Sequence, residues 1–76
     1  LMPVQVVPVG LLRPLLASDT VTLDVGAGKT VAQLLDELGV QADLVAMVLV
    51  NGRQAPKDTV LQDGDVVKLI PFVGGG

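Results

Sequence analysis

One stretch of the chain, Thr30 to Gly39, carries a helix face together with both of its stops. Val31, Leu34, Leu35 and Leu38 recur at i, i+3, i+4 and i+7, which is one side of an α-helix. Thr30 precedes the run and Gln33 stands three residues on, the spacing of a capping box. Gly39 follows the last apolar position, where a glycine in the left-handed region ends a helix. A chain of 76 residues holds one domain with one small core. A single amphipathic helix cannot hide its apolar face alone, so the rest of the chain must supply a sheet for it to cover.

The flanking segments read as strands. Residues 4–9 form a first strand interrupted at Pro8, and a proline in a strand points to an edge or an end. Gly10 to Ser18 is mixed and predicts a loop or a short helical turn, because Pro14 opposes a long helix. Residues 20–25 alternate in period two, with Val21, Leu23 and Val25 on one face. Residues 44–50 are continuously apolar, which predicts a central strand buried on both faces. Asn51-Gly52 predicts a hairpin into a short return strand, Arg53 to Ala55, ended by Pro56. Asp63-Gly64-Asp65 predicts another turn, and Val66 to Ile70 a last strand ended by Pro71.

Composition removes whole classes of chemistry. The chain has no Cys, His, Trp or Tyr, so disulfides, thiolate chemistry and histidine acid/base work are excluded. Phe72 is the only aromatic, so the core must be aliphatic. The net charge is −3 and the five basic residues are scattered, which argues against a nucleic-acid partner. No apolar run reaches the length of a membrane span and no secretory signal pattern opens the chain, so a cytoplasmic location is expected. Leu1 stands ahead of Met2, which reads as the natural start.

Two motifs invite chemistry and fall short of it. Gly26-Ala27-Gly28-Lys29-Thr30 resembles the end of a phosphate-binding loop, but Leu23 stands where the first glycine belongs. The plainer reading is a glycine turn leading into the Thr30 cap, with Lys29 solvated. Asp63 and Asp65 flank a turn glycine and have no third ligand near in sequence, so no metal site is expected.

The end of the chain is different. Pro71-Phe72-Val73 leads into Gly74-Gly75-Gly76 with no element behind the glycines. Glycines tolerate any backbone conformation, so such a tail could carry a carboxylate through a narrow channel, or it could be a frayed end. Six residues from Pro71 span at most about 20 Å when extended. Phe72 admits two readings, a core aromatic or an apolar anchor at the root of the tail.

Val50-Asn51-Gly52, the turn Gln62 to Val66 and the ending Pro71 to Gly76, spaced as they are around one helix, resemble the ThiS/MoaD-type sulfur carriers. The resemblance covers Val4 to Gly76. It implies an α+β, ubiquitin-like β-grasp fold, a small mixed sheet of four to five strands covered by one main helix. The domain is expected over residues 2–73 and a flexible glycine tail over 74–76. The family's terminal diglycine falls on Gly75 and Gly76, and Gly74 on a position often held by a small residue.

The resemblance implies a protein co-substrate and not an enzyme, with no bound cofactor. An adenylyltransferase-type activating enzyme, using ATP and Mg, would adenylate the Gly76 carboxylate. A sulfurtransferase or other sulfur donor would then make a thiocarboxylate for a sulfur-accepting synthase, of which the carrier could be the small subunit. Gly76 would carry the reacting group, Gly74 and Gly75 would give access, and Phe72, Val73 and Leu61 would dock the partner. The insertion Gly10 to Ser18 resembles the molybdopterin-type small subunit, and a thiamin-type pathway stays open beside it. The alternatives are a ubiquitin-like modifier conjugated to lysines and a plain β-grasp interaction domain.

Overall fold

A computed structural model describes residues 2–16 and 18–72. The strand β1 (Met2–Pro8) is followed by a 3-10 segment, Gly10–Leu15, and by β2 (Val21–Val25). The helix α1 (Val31–Leu38) leads through a 3-10 turn, Ala42–Leu44, to β3 (Val45–Val50), β4 (Arg53–Ala55) and β5 (Val66–Pro71). The five strands form one sheet in the order β2-β1-β5-β3-β4. β1 and β5 run parallel and the other neighbours antiparallel. This mixed sheet with one main helix is the β-grasp fold.

The helix closes at both ends as its sequence predicts. The Gln33 amide donates to Thr30 Oγ1 at 3.2 Å, and the Thr30 amide donates to Gln33 Oε1 at 2.9 Å. Gly39 takes φ +73°, and the amides of Gly39 and Val40 donate to the carbonyls of Asp36 and Leu35. Val31, Leu34 and Leu35 face inward, where Val6, Val48, Val67 and Leu69 of the sheet meet them in one aliphatic core. Burying such a side chain contributes about 1.5–3 kcal/mol, so this small core can hold the fold without an aromatic residue.

The hairpin between β3 and β4 is also as expected. Asn51 at φ +53° and Gly52 at φ +83° place two successive residues in the left-handed region, which matches the twist of paired strands. Pro8 is the last residue of β1 and pairs with Leu69 of β5, so it sits at a strand end inside the sheet.

One strand assignment changes. β3 is not the central strand and is not buried on both faces, since Ala46 is exposed and Met47, Leu49 and Val50 are half-buried. β5 takes the centre, between β1 and β3. β5 alternates, with Val67 and Leu69 inward and Val66 and Lys68 outward. The helix covers only one sheet face, so a central strand here needs period two and not a continuous apolar run.

Candidate functional site

The site is built outward from the end of β5. Pro71 is buried and pairs with Val45 at the start of β3, so the strand is held by β3 up to its last residue, while its pairing with β1 ends at Leu69. Phe72 follows and is 63 % exposed. The core reading of this aromatic is therefore excluded, and the ring stands at the root of the tail. Val73, Gly74, Gly75 and Gly76, the remaining residues expected at the site, lie outside the described residues.

Beside Phe72 runs an apolar groove of about 300 Å³. Leu12 and Pro71 are its buried lining, while Leu11, Leu15, Leu44 and Phe72 are exposed around it, with Asp43 on the rim. The 3-10 segment Gly10–Leu15 makes this possible. Its Leu12 is 3 % exposed and anchors it in the core, so its neighbours Leu11 and Leu15 are turned outward. Gly10 begins the segment at φ +56°, in the left-handed region that favours glycine, with Pro71 Cγ 3.5 Å from where a Cβ would stand. Arg13 Nη2 donates to Asp19 Oδ1 at 2.8 Å across the far side of the segment. That hydrogen bond, with the Asp19 charge, raises the already high pKa of the guanidinium. The apolar face of this segment was not legible as a site, because Leu11, Leu12 and Leu15 show no period that separates inward from outward.

Leu61, expected at the docking surface, is instead a core residue, 1 % exposed. Its amide donates to the Lys29 carbonyl at 2.8 Å, which fastens the β4–β5 connection against the start of the helix and turns the side chain inward. It has no surface to offer a partner.

The Gly26–Thr30 loop lines a depression of about 640 Å³ together with Gln33, Asp36 and Glu37. It is larger than the groove but does not suit a phosphate. The first-turn amides of the helix are already engaged: Val31 donates to Thr59 O, Ala32 to Lys57 O and Gln33 to Thr30 Oγ1. Lys29 is not a solvated lysine. Its ammonium pairs with Glu37, and its side chain is 22 % exposed. With Asp36 beside that pair, the depression carries more negative than positive charge.

The two turn motifs singled out in the sequence meet in space. Asn51 Nδ2 donates to Asp65 Oδ1 at 2.8 Å, and the Gln62 amide donates to Asp65 Oδ2 at 2.8 Å. Asp65 is a buried, fully engaged structural carboxylate. Among the described residues no three acidic side chains gather in a way that could hold a metal ion. No helix among them is long and apolar enough to cross a membrane.

The small archaeal modifier protein 1 of Haloferax volcanii superposes with a TM-score of 0.79 at 26 % identity, over 95 % of this chain and 99 % of that one. A protein from Pyrococcus furiosus described as molybdopterin converting factor, subunit 1, superposes with a TM-score of 0.77 at 25 % identity, over 96 % of this chain and 100 % of that one. A complex of subunits 1 and 2 of the molybdopterin-converting factor from Helicobacter pylori contains a chain that matches with a TM-score of 0.62 at 26 % identity, over 99 % of this chain and 100 % of that one. No curated protein matches the sequence significantly. The model of the ThiS family matches residues 9–76, from just after β1 through the last glycine. The chain belongs to the ThiS family.

Proposed function

We propose that this protein is a sulfur carrier that works as a co-substrate of other enzymes, with the carboxylate of Gly76 as its reacting group. A carboxylate is a poor electrophile. Its oxygen would attack the α-phosphorus of ATP, bound with Mg on an activating enzyme, and pyrophosphate would leave. In the resulting acyl-adenylate the acyl carbon has a good leaving group. Hydrosulfide, or a donor equivalent to it, would add there, AMP would depart, and a thiocarboxylate would remain with release of the sulfur's proton. A sulfur-accepting synthase would then take the sulfur.

The observation that carries this reading is the family match running through Gly76, on a fold whose central strand leads to that tail. The resemblance to a converting-factor subunit that forms a complex with a second subunit supports a synthase as acceptor. Gly74 and Gly75 would give access to closed sites, and Phe72 and Val73 would meet the partner at the tail root. The test is intact mass after incubation with ATP, Mg, sulfide and an adenylyltransferase from the source organism. The expected change is one oxygen exchanged for sulfur, lost when Gly76 is deleted.

A second reading has its own support. The similarity to a small archaeal modifier protein favours transfer of the activated carboxylate to a lysine amine. The two readings differ in product, a thiocarboxylate against a branched conjugate, and the same mass measurement separates them.

A further inference from the structure

We infer that Asn51 is a deamidation site that the fold holds in check, with Asp65 as the latch. The inference is independent of the chemistry proposed for Gly76.

Asn51 is the only asparagine in the chain, and a glycine follows it. In such a pair the Gly52 nitrogen, once its proton is lost to solvent, attacks the carbonyl carbon of the Asn51 side chain. A five-membered succinimide forms, and the side-chain nitrogen takes a proton from solvent and leaves as ammonia. Water then opens the ring at either carbonyl, which leaves aspartate or isoaspartate. One water is consumed and one ammonia is released. Glycine favours the attack because no Cβ hinders the approach of its backbone.

Solvent reaches the nucleophile. Asn51 and Gly52 are both exposed, and a Cβ on Gly52 would meet nothing within 4 Å. No backbone carbonyl among the described residues accepts from the Gly52 amide. The pair Asp63-Gly64 differs, because the Gly64 amide donates to the Pro3 carbonyl at 2.8 Å and its nitrogen is tied to β1.

At Asn51 the fold restrains the electrophile instead. Asn51 Nδ2 donates to Asp65 Oδ1 at 2.8 Å, and Asn51 Oδ1 accepts from the Val66 amide at 2.9 Å. In the sheet β3 lies between β5 and β4. The side chain is therefore drawn toward the start of β5, while Gly52 turns the chain the other way, into β4. Ring closure requires the side chain to leave both partners and swing over its own following peptide group. The Val66 amide polarises the side-chain carbonyl, but the attack cannot begin until that bond is given up.

The latch is itself anchored. Asp65 is 7 % exposed, its Oδ2 accepts from the Gln62 amide at 2.8 Å, and its carbonyl accepts from the Gln5 amide of β1 at 2.9 Å. An exposed asparagine is thus held by a buried carboxylate whose backbone is bonded to the sheet. Hydrogen bonds to a carboxylate are the stronger kind, and losing one is enough to change the rate about tenfold. Deamidation would not be silent. It replaces the Nδ2 donor by an oxygen, so two carboxylates face each other where a hydrogen bond stood, and like charges at that spacing repel. The hairpin turn is then released from β5.

The experiment incubates the full chain in mildly alkaline buffer and follows the exchange of NH for O by mass, with fragmentation to place it at Asn51. Folded wild type reacts about tenfold or more slowly than the same protein in denaturant. Asp65→Ala, kept folded, reacts about tenfold or more faster than folded wild type. Val25→Ala truncates a core side chain on β2, which β1 and β5 separate from β3, and its rate stays near wild type. Asp65→Asn keeps the shape and one acceptor oxygen, gives a rate between wild type and Asp65→Ala, and carries the test if Asp65→Ala does not fold. Asn51→Asp, which has the product's side chain, unfolds at a lower urea concentration than wild type. Equal rates for folded and denatured wild type overturn the inference, as do wild-type rates in both Asp65 variants. Equal acceleration in Val25→Ala and the Asp65 variants also overturns it, because protection would then be global and Asp65 no latch.

Discussion

Asn51 and Asp65, 14 positions apart, hold each other across two turns: Asn51 Nδ2 donates to Asp65 Oδ1 at 2.8 Å. Asn51 also accepts from the Val66 amide through Oδ1 at 2.9 Å, and its own amide donates to the Val66 carbonyl. One asparagine thus fixes the hairpin after β3 to the first residue of β5. The contact sets the register of the strand that leads to the tail.

Asp65→Ala leaves Asn51 Nδ2 and the Gln62 amide without their acceptor at a position only 7 % exposed. Stranding buried donors costs about 1–3 kcal/mol each, and solvent relaxation at the turn keeps the total near the low end of their sum. Urea unfolding should show a loss of about 2 kcal/mol with an unchanged slope. A midpoint equal to wild type would mean that the clamp contributes nothing.

Leu61 and Phe72 should respond in opposite ways. Leu61→Ala removes a core side chain and should cost about 2–5 kcal/mol. Phe72→Asp changes an exposed side chain and should leave stability within about 0.5 kcal/mol. It should nevertheless weaken binding to the activating enzyme about thirtyfold, the loss of an aromatic anchor worth roughly 2 kcal/mol. Unfolding curves and a binding titration on both variants decide the matter, and unaltered binding by Phe72→Asp would remove the tail root from the docking surface.

Lys29→Ala breaks a partly exposed ion pair with Glu37 and should cost under about 1 kcal/mol. Its activation by the partner should match wild type, since the first-turn amides behind it are already engaged. Weaker activation in this variant would bring the Gly26–Thr30 loop into the interface.

Removing Gly74 to Gly76 should alter the unfolding free energy by less than about 0.5 kcal/mol, because these residues have no side chains to bury. The same deletion should abolish the oxygen-to-sulfur mass change. A large drop in the urea midpoint would contradict a tail whose purpose is delivery.

Features made by residues close in sequence are legible in the sequence. Thr30, Gln33 and Gly39 announce both ends of α1 because caps are made by residues close in sequence. The Asn51-Gly52 turn is local for the same reason. The central place of β5 was not legible, since its parallel pairing with β1 joins distant ends of the chain and no residue in either strand records it. The apolar run of β3 suggested a centre, but half-buried positions beside a short edge strand also accept apolar side chains. Leu61 and Phe72 were both apolar residues outside clear elements. Only the backbone bond from Leu61 to Lys29, and the end of the sheet at Pro71, decide that one turns inward and the other outward.

The parallel pairing of β5 with β1 and its antiparallel pairing with β3 give the molecule a mechanical direction. A partner that grips the last glycines pulls on the central strand of the five, bonded to a neighbour on each flank. The load runs along the strand axis, across ladder bonds that lie sideways to it. Those bonds are sheared together and do not peel apart one by one, as they would on an edge strand. The end that others grasp is therefore attached where the body best resists being drawn out by it.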